Sequence, residues 1–169
     1  FPHPEAVLSA TFCPEGRRLC AVTGASRFFG EVYVYDVETQ QELFKFEGHE
    51  DGVTYAGFSA DGKLLITASR DKTARLFTLE DNRVSAAFSH KNWLNSVDLS
   101  PDARWICSAC DDGYARIFDV RHCRELIKLL HDGPVSDVSF GPGPPVPSPS
   151  KTSSAGGGPA FGAGGMGAL

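Results

Sequence analysis

The sequence predicts an all-β chain built from a repeated unit, and three observations carry that prediction. His49, His90 and His131 stand 41 residues apart, and the residues around them keep the same step. The apolar residues in between are mostly β-branched or aromatic and come in short runs, broken by turn residues such as Ala60-Asp61-Gly62 and Asp81-Asn82. No stretch sustains the 3.6-residue period of an amphipathic helix. The 169 residues are 41% hydrophobic and 22% charged, which suits a globular body and excludes both collagen and disorder throughout. No apolar run approaches the roughly 18 residues that cross a bilayer as a helix, so no membrane partner is expected. The net charge of -5 argues against nucleic acid, which calls for a clustered basic face.

The elements follow in order. A first, looser copy runs from about residue 3 to 48: His3, Val7 and Phe12 are in register, and about four extra residues around Ser26 to Gly30 precede Val34-Tyr35-Asp36. The second copy (49–89) and the third (90–130) agree without a gap. Val53 matches Leu94 and Val135, Phe58 matches Leu99 and Phe140, Asp61 matches Asp102, and Asp71 matches Asp112. Ala74-Arg75-Leu76-Phe77 likewise matches Ala115-Arg116-Ile117-Phe118. Each copy has room for four short strands, and residues 135–140 begin a fourth copy as one extra strand with an open edge. Residues 141–169 hold nine of the 18 glycines and six of the 11 prolines, with Lys151 as the one charge. A disordered Gly/Pro/Ser-rich tail is expected there.

A period of about 40 to 45 residues with four strands is the pattern of a propeller blade. With Gly48-His49 and the closing Phe118-Asp119, residues 3 to 140 resemble WD40 repeats, with Phe or Tyr where that family prefers Trp. The resemblance implies a WD40-type β-propeller fragment of about three four-stranded blades plus the extra strand. It also implies a buried, purely structural hydrogen-bonded set in each blade. The second blade would use His49, Ser69, Asp71 and Phe77, the third His90, Cys110, Asp112 and Phe118. Phe has no indole N–H and Cys donates weakly, so the set shortens to a His–Asp pair, with a hydroxyl in the second blade only. In the first blade Phe29 stands where the turn Asp should be, and that blade is expected to be the least regular. Rings typically close with four to eight blades. Three blades, a first residue that is Phe and no basic-then-apolar leader therefore read as a piece of a longer propeller without a secretory signal. A half-ring that self-associates with a second copy is the alternative.

Motifs that look like chemistry do not hold up. Gly162-Ala163-Gly164-Gly165-Met166-Gly167 has G-x-G-x-x-G spacing but neither the preceding strand nor the following helix of a dinucleotide site. Cys107-Ser108-Ala109-Cys110 falls on a strand, where a separation of three points the thiols to opposite faces. Cys13, Cys20 and Cys123 lack metal-ligand spacing. The reading therefore expects no metal, no cofactor, no catalytic residue and no enzyme. It expects reduced thiols in an intracellular chain, cytoplasmic or nuclear. His90-Lys91-Asn92-Trp93 also occurs in cytoskeletal and centriolar WD40 proteins, which adds such an association as an expectation. In the tail, Ser148-Pro149-Ser150-Lys151 fits a proline-directed kinase acceptor and Pro142-Gly143-Pro144-Pro145 fits a P-x-x-P ligand.

The resemblance implies a non-catalytic scaffold that binds other proteins on the face where the first strands begin. The face positions lie three and five residues after each Gly-His histidine and one before the turn aspartate. Here they are Gly52, Thr54 and Arg70, then Trp93, Asn95 and Asp111. Thr54, Arg70, Trp93, Asn95 and Asp111 are the partner-binding candidates, led by Trp93 because Trp and Arg dominate interface hot spots. Trp93 packing on a neighbouring loop, and an Arg70–Asp111 ion pair, are the competing structural readings. Phe118-Asp119-Val120-Arg121 resembles the W-D-x-R box by which WD40 substrate receptors dock on cullin-RING ubiquitin ligases, with Phe for Trp. Asp119 and Arg121 would carry that alternative function, although Phe77-Thr78-Leu79-Glu80 of the second blade lacks both charges. Arg70, Lys72, Arg75 and Lys91 are too few for a nucleic-acid or phosphoinositide face.

Overall fold

The computed structural model describes residues 6–24 and 30–141. His3, Phe29, the kinase-acceptor and P-x-x-P segments and the glycine run of the tail lie outside the described residues. Twelve strands and no helix are present among the described residues, arranged as three antiparallel sheets of four. The first sheet holds β1 (Val7–Phe12), β2 (Arg18–Thr23), β3 (Gly30–Asp36) and β4 (Glu42–His49) in that spatial order. The second holds β5 (Val53–Phe58), β6 (Leu64–Ser69), β7 (Thr73–Thr78) and β8 (Arg83–Ser89). The third holds β9 (Leu94–Leu99), β10 (Trp105–Cys110), β11 (Tyr114–Asp119) and β12 (Arg124–Leu130). Each sheet is a plain meander, and the leading strands β1, β5 and β9 stand side by side.

One turn builds each β5–β6-type hairpin, and its residues are fixed by hydrogen bonding. The Ser59 hydroxyl donates to Asp61 Oδ1 at 2.7 Å and accepts the Leu64 N–H at 2.9 Å, while Gly62 supplies a φ of 67°. Ser100, Asp102 and Trp105 repeat the arrangement in the third sheet. In the first sheet a thiol takes the hydroxyl's place, with the Arg18 N–H donating to Cys13 Sγ at 3.1 Å.

The core lies between sheets. Cys20, Val22, Val32, Val34 and Phe46 of the first sheet pack on Val53, Ala56, Leu65 and Phe77 of the second. Ile66, Ala68, Ala74, Leu76 and Phe88 of the second sheet then pack on Leu94, Val97, Leu99, Ile106 and Phe118 of the third. Leu65 and Ile66 thus serve opposite interfaces, so β6 is buried on both faces and reads as a nearly continuous apolar run. Each fully buried side chain of this size stabilises by roughly 1.5–3 kcal/mol. An aromatic pair crosses each interface, Phe46–Phe77 with centroids 4.6 Å apart and Phe88–Phe118 with centroids 5.1 Å apart.

The fourth copy departs from the expectation of a lone strand: residues 135–140 form no strand. A strand exists only through a ladder, and among the described residues no second strand of a fourth sheet pairs with these. They are held instead at single points. The Val135 N–H donates to the Cys110 carbonyl at 3.1 Å, and the Phe140 N–H donates to Asp98 Oδ2 at 2.8 Å. Cys107 and Cys110 serve different sides of β10. Cys110 joins the core toward the second sheet, while Cys107 lies near Asp98 and Asp137, and burial pushes its thiol up to about 12.

Candidate functional site

The repeat histidines are the natural place to begin. His49 closes β4 and is buried against the second sheet. Its Nδ1 lies 2.7 Å from Asp71 Oδ2 and its Nε2 lies 2.7 Å from Thr67 Oγ1. A carboxylate can only accept, so Nδ1 carries the proton shared with Asp71, while Nε2 shares a hydrogen bond with the Thr67 hydroxyl. Thr73 gives Asp71 two further bonds, from its hydroxyl at 2.6 Å and its N–H at 2.8 Å. Burial opposes the Asp71 charge, but the bonds from His49 and Thr73 outweigh it and hold the carboxyl well below the usual range. The hydroxyl at the ring is therefore Thr67, not Ser69. Ser69 is otherwise engaged, lying 3.0 Å from the Asp51 and Gly52 carbonyls and accepting the Asp71 N–H. The two positions share a face of β6, two residues apart, and Thr67 is the one at the depth the ring reaches. The sequence carried the signal as a second hydroxyl on that face.

The third blade corrects the expected His90–Asp112 pair. His90 Nε2 lies 2.8 Å from Ser108 Oγ, the counterpart of Thr67, and Nδ1 lies 3.1 Å from the Phe88 carbonyl. Cys110 is no partner of the ring, since its thiol donates to the Asn92 carbonyl. Asp112 is gripped by both terminal nitrogens of Arg116, whose Nε reaches Glu125 at 3.2 Å. The cause is one substitution. Tyr114 stands where the second blade has Thr73, so no hydroxyl flanks Asp112, and the guanidinium fills the vacancy. Arg75, the counterpart of Arg116, remains 3.7 Å from Asp71. The Arg116 bond, against the cost of burial, holds the Asp112 carboxyl at about 2. Burial, aided by the Arg116 charge, lowers His90 to about 4, so this ring is neutral at neutral pH. Both histidines use both ring nitrogens on protein groups, which makes them ties within the fold. Among the described residues no group of three or more His, Cys, Asp or Glu is placed to hold a metal.

The five face candidates divide into two kinds. Thr54 Oγ1 lies 2.8 Å from the Leu94 carbonyl, at the start of the next sheet. Asn95, its counterpart one repeat later, donates from Nδ2 to the Val135 carbonyl at 2.9 Å. These two tie each blade to the first residue of its successor. Asp111 accepts the other Asn95 Nδ2 hydrogen at 2.7 Å and backs that tie. Arg70 and Trp93 are different, because both are exposed, Trp93 at 46%. The Arg70 guanidinium lies over the Trp93 ring, 5.5 Å from its centroid. Their main chains are pinned, the Arg70 N–H to the Gly52 carbonyl and the Trp93 carbonyl to the Asp111 N–H, each at 2.9 Å. Trp93 thus meets its neighbour's loop and still presents surface, while Arg70 takes the ring in place of Asp111.

At the other end of the third sheet, Phe118 is buried in the core and Asp119 accepts from the His122 N–H and Nδ1, both at 3.0 Å. Arg121 is exposed in the turn between them.

The model of the family described as "WD domain, G-beta repeat" matches residues 40–78 and 83–119. The target of rapamycin complex subunit wat1 of Schizosaccharomyces pombe is 31% identical over 114 residues, covering 65% of this chain and 36% of that protein. WD repeat and SOCS box-containing protein 1 of Mus musculus is 37% identical over 94 residues, 54% of this chain and 22% of that protein. Pre-mRNA-processing factor 19 of Oryza sativa subsp. japonica is 31% identical over 146 residues, 81% of this chain and 27% of that protein. The chain spans about a third or less of the length of these relatives.

Proposed function

The chain belongs to the WD40-repeat family, whose members mediate protein interactions, and from that premise we propose that it is a non-catalytic scaffold holding a protein partner on the Arg70–Trp93 end. The observation that carries the reading is the exposed cation–π pair on pinned main chain. A rigid aromatic and an arginine cost little to order on binding, which is what interface hot spots share. Thr54, Asn95 and Asp111 support the site from below by fixing one blade on the next. An intracellular setting, cytoplasmic or nuclear, goes with this proposal, since five free thiols stay reduced there.

The test compares proteins recovered with the tagged wild-type chain, with Trp93→Ala and with Lys63→Ala, a change in a turn at the opposite end. A set lost with Trp93→Ala and kept with Lys63→Ala is expected; identical sets for all three would end the proposal. A second reading, docking on a cullin-RING ligase adaptor through Asp119 and Arg121, draws support from the exposure of Arg121 and from the SOCS-box-containing relative. It requires that Arg121→Glu abolish adaptor binding, and unchanged binding removes it.

A further inference from the structure

We propose that the Arg70–Trp93 end recognises an acidic peptide segment of its protein partner; this rests on the reading of that end as the docking face and adds the partner's chemistry. The chain is acidic as a whole, at -5, yet the 41-residue register shows a local inversion at this junction. Arg70 stands where the third blade has Asp111, Lys91 where the second blade has Glu50, and Asn92 where it has Asp51. Lys72 stands where the third blade has Gly113. Both backbones there are left-handed, with φ of 70° at Lys72 and 82° at Gly113. Lys72 thus takes the same left-handed turn position as Gly113 and adds a cation there.

Three cations are brought together by the fold. Lys72 follows Arg70 in one turn, and the Lys72 carbonyl accepts the His90 N–H at 2.8 Å, which sets Lys91 beside it. Arg70, Lys72 and Lys91 are exposed, and the Arg70 guanidinium lies over the exposed Trp93 ring. Of the carboxylates at this end, Asp71 is engaged by His49 and Thr73, Asp111 by Asn95 and Asp51 by the Gly52 N–H, while Glu50, whose N–H donates to Asp71, is exposed. Among the described residues no ion pair joins Arg70, Lys72 or Lys91 to a carboxylate, so all three remain available to an incoming one. The patch lies at one blade junction. Trp93 gives an apolar platform for a side chain next to the acidic ones.

The full chain is titrated into fluorescein-labelled octaglutamate, with octalysine as control, and followed by fluorescence anisotropy. Binding of octaglutamate alone is expected, weakening as salt rises from about 0.05 M to about 0.5 M. Arg70→Glu and Lys91→Glu should each weaken it by about tenfold or more, and Trp93→Ala by a similar factor. All three positions are exposed, and a thermal melt of each variant confirms that the fold survives. Lys63→Glu, at the opposite end, should leave binding unchanged. Failure to bind octaglutamate overturns the proposal, as does equal loss with Lys63→Glu. Sedimentation with phosphatidylserine vesicles without octaglutamate binding overturns it in favour of a lipid surface. If Trp93→Ala strips co-purifying proteins while octaglutamate does not bind, the docking face stands and its acidic specificity falls.

Discussion

Replacing Arg116 by methionine tests whether an ion pair holds the third blade where a histidine–aspartate pair holds the second. Methionine keeps a long apolar stem beside Tyr114, whose ring centroid lies 5.2 Å from the guanidinium, and deletes the charge. Asp112 is held at about 2 against an ordinary 3.8. At ~1.4 kcal/mol per factor of ten, that difference corresponds to roughly 2 kcal/mol. The second arm reaches a Glu125 carboxylate that is 42% exposed, and contributes ~0–1 kcal/mol after solvent screening. The expected loss at neutral pH is therefore about 2–3 kcal/mol. It stays below the ~3–5 kcal/mol of a stranded, fully buried charge, because Asp112 retains the Tyr114 N–H and some access to water.

Because the folded pKa of Asp112 is depressed, its stabilisation is fully present above the unfolded value and is lost as pH falls through about 2. Linkage leaves roughly half of it at about pH 3. Urea unfolding of wild type and Arg116→Met at these two pH values should show a gap that narrows by about half in acid. Removing the guanidinium also removes a charge that depresses His90, so its imidazole should titrate above about 4 by NMR. A gap that is the same at both pH values, together with an unmoved His90, would refute the assignment.

Other consequences are simpler to check. Thr67→Val leaves His49 Nε2 buried without its hydroxyl partner and should cost about 1–3 kcal/mol in chemical denaturation. Thr54→Val should cost about 1 kcal/mol through the lost tie to Leu94, whereas Trp93→Ala should stay within about 0.5 kcal/mol; paired thermal melts separate the two roles. Asp98→Ala releases the Phe140 N–H, so that amide should exchange faster with deuterium while those of β10 do not. Cys123 is the exposed thiol and the other four are buried, so one cysteine should react with a thiol reagent in the native chain and all five in denaturant.

Sequence periodicity made the sheets legible because the same positions do the same work in each copy. Val53 and Leu94 are buried at the start of β5 and β9, and Thr54 and Asn95 reach the same carbonyl position one blade on. Periodicity does not choose bonding partners. Asp71 and Asp112 occupy one register position, yet one bonds a histidine and the other an arginine, because Thr73 has become Tyr114 two residues away. Nor does it make a strand: residues 135–140 carry the right pattern and lack a ladder. Spacing places Thr54 and Asn95 on the face where the first strands begin, and says little about which neighbouring carbonyl each side chain meets.

The differences between copies are informative in two ways, and burial tells them apart. Where equivalent residues are buried, a change in one is answered by a change of partner in another, as Tyr114 and Arg116 show, and the interface between sheets is preserved. Such differences report on the fold. Where equivalent residues are exposed, as with Arg70 against Asp111 or Lys91 against Glu50, Arg70 answers to Trp93 and no fold contact calls for the cation at Lys91. An exposed cation adds little to packing, and under the proposal above it meets a carboxylate that approaches from solvent. The junction between the second and third sheets combines both: buried ties that fix Trp93 in space, and exposed charges whose sign runs against the rest of the chain.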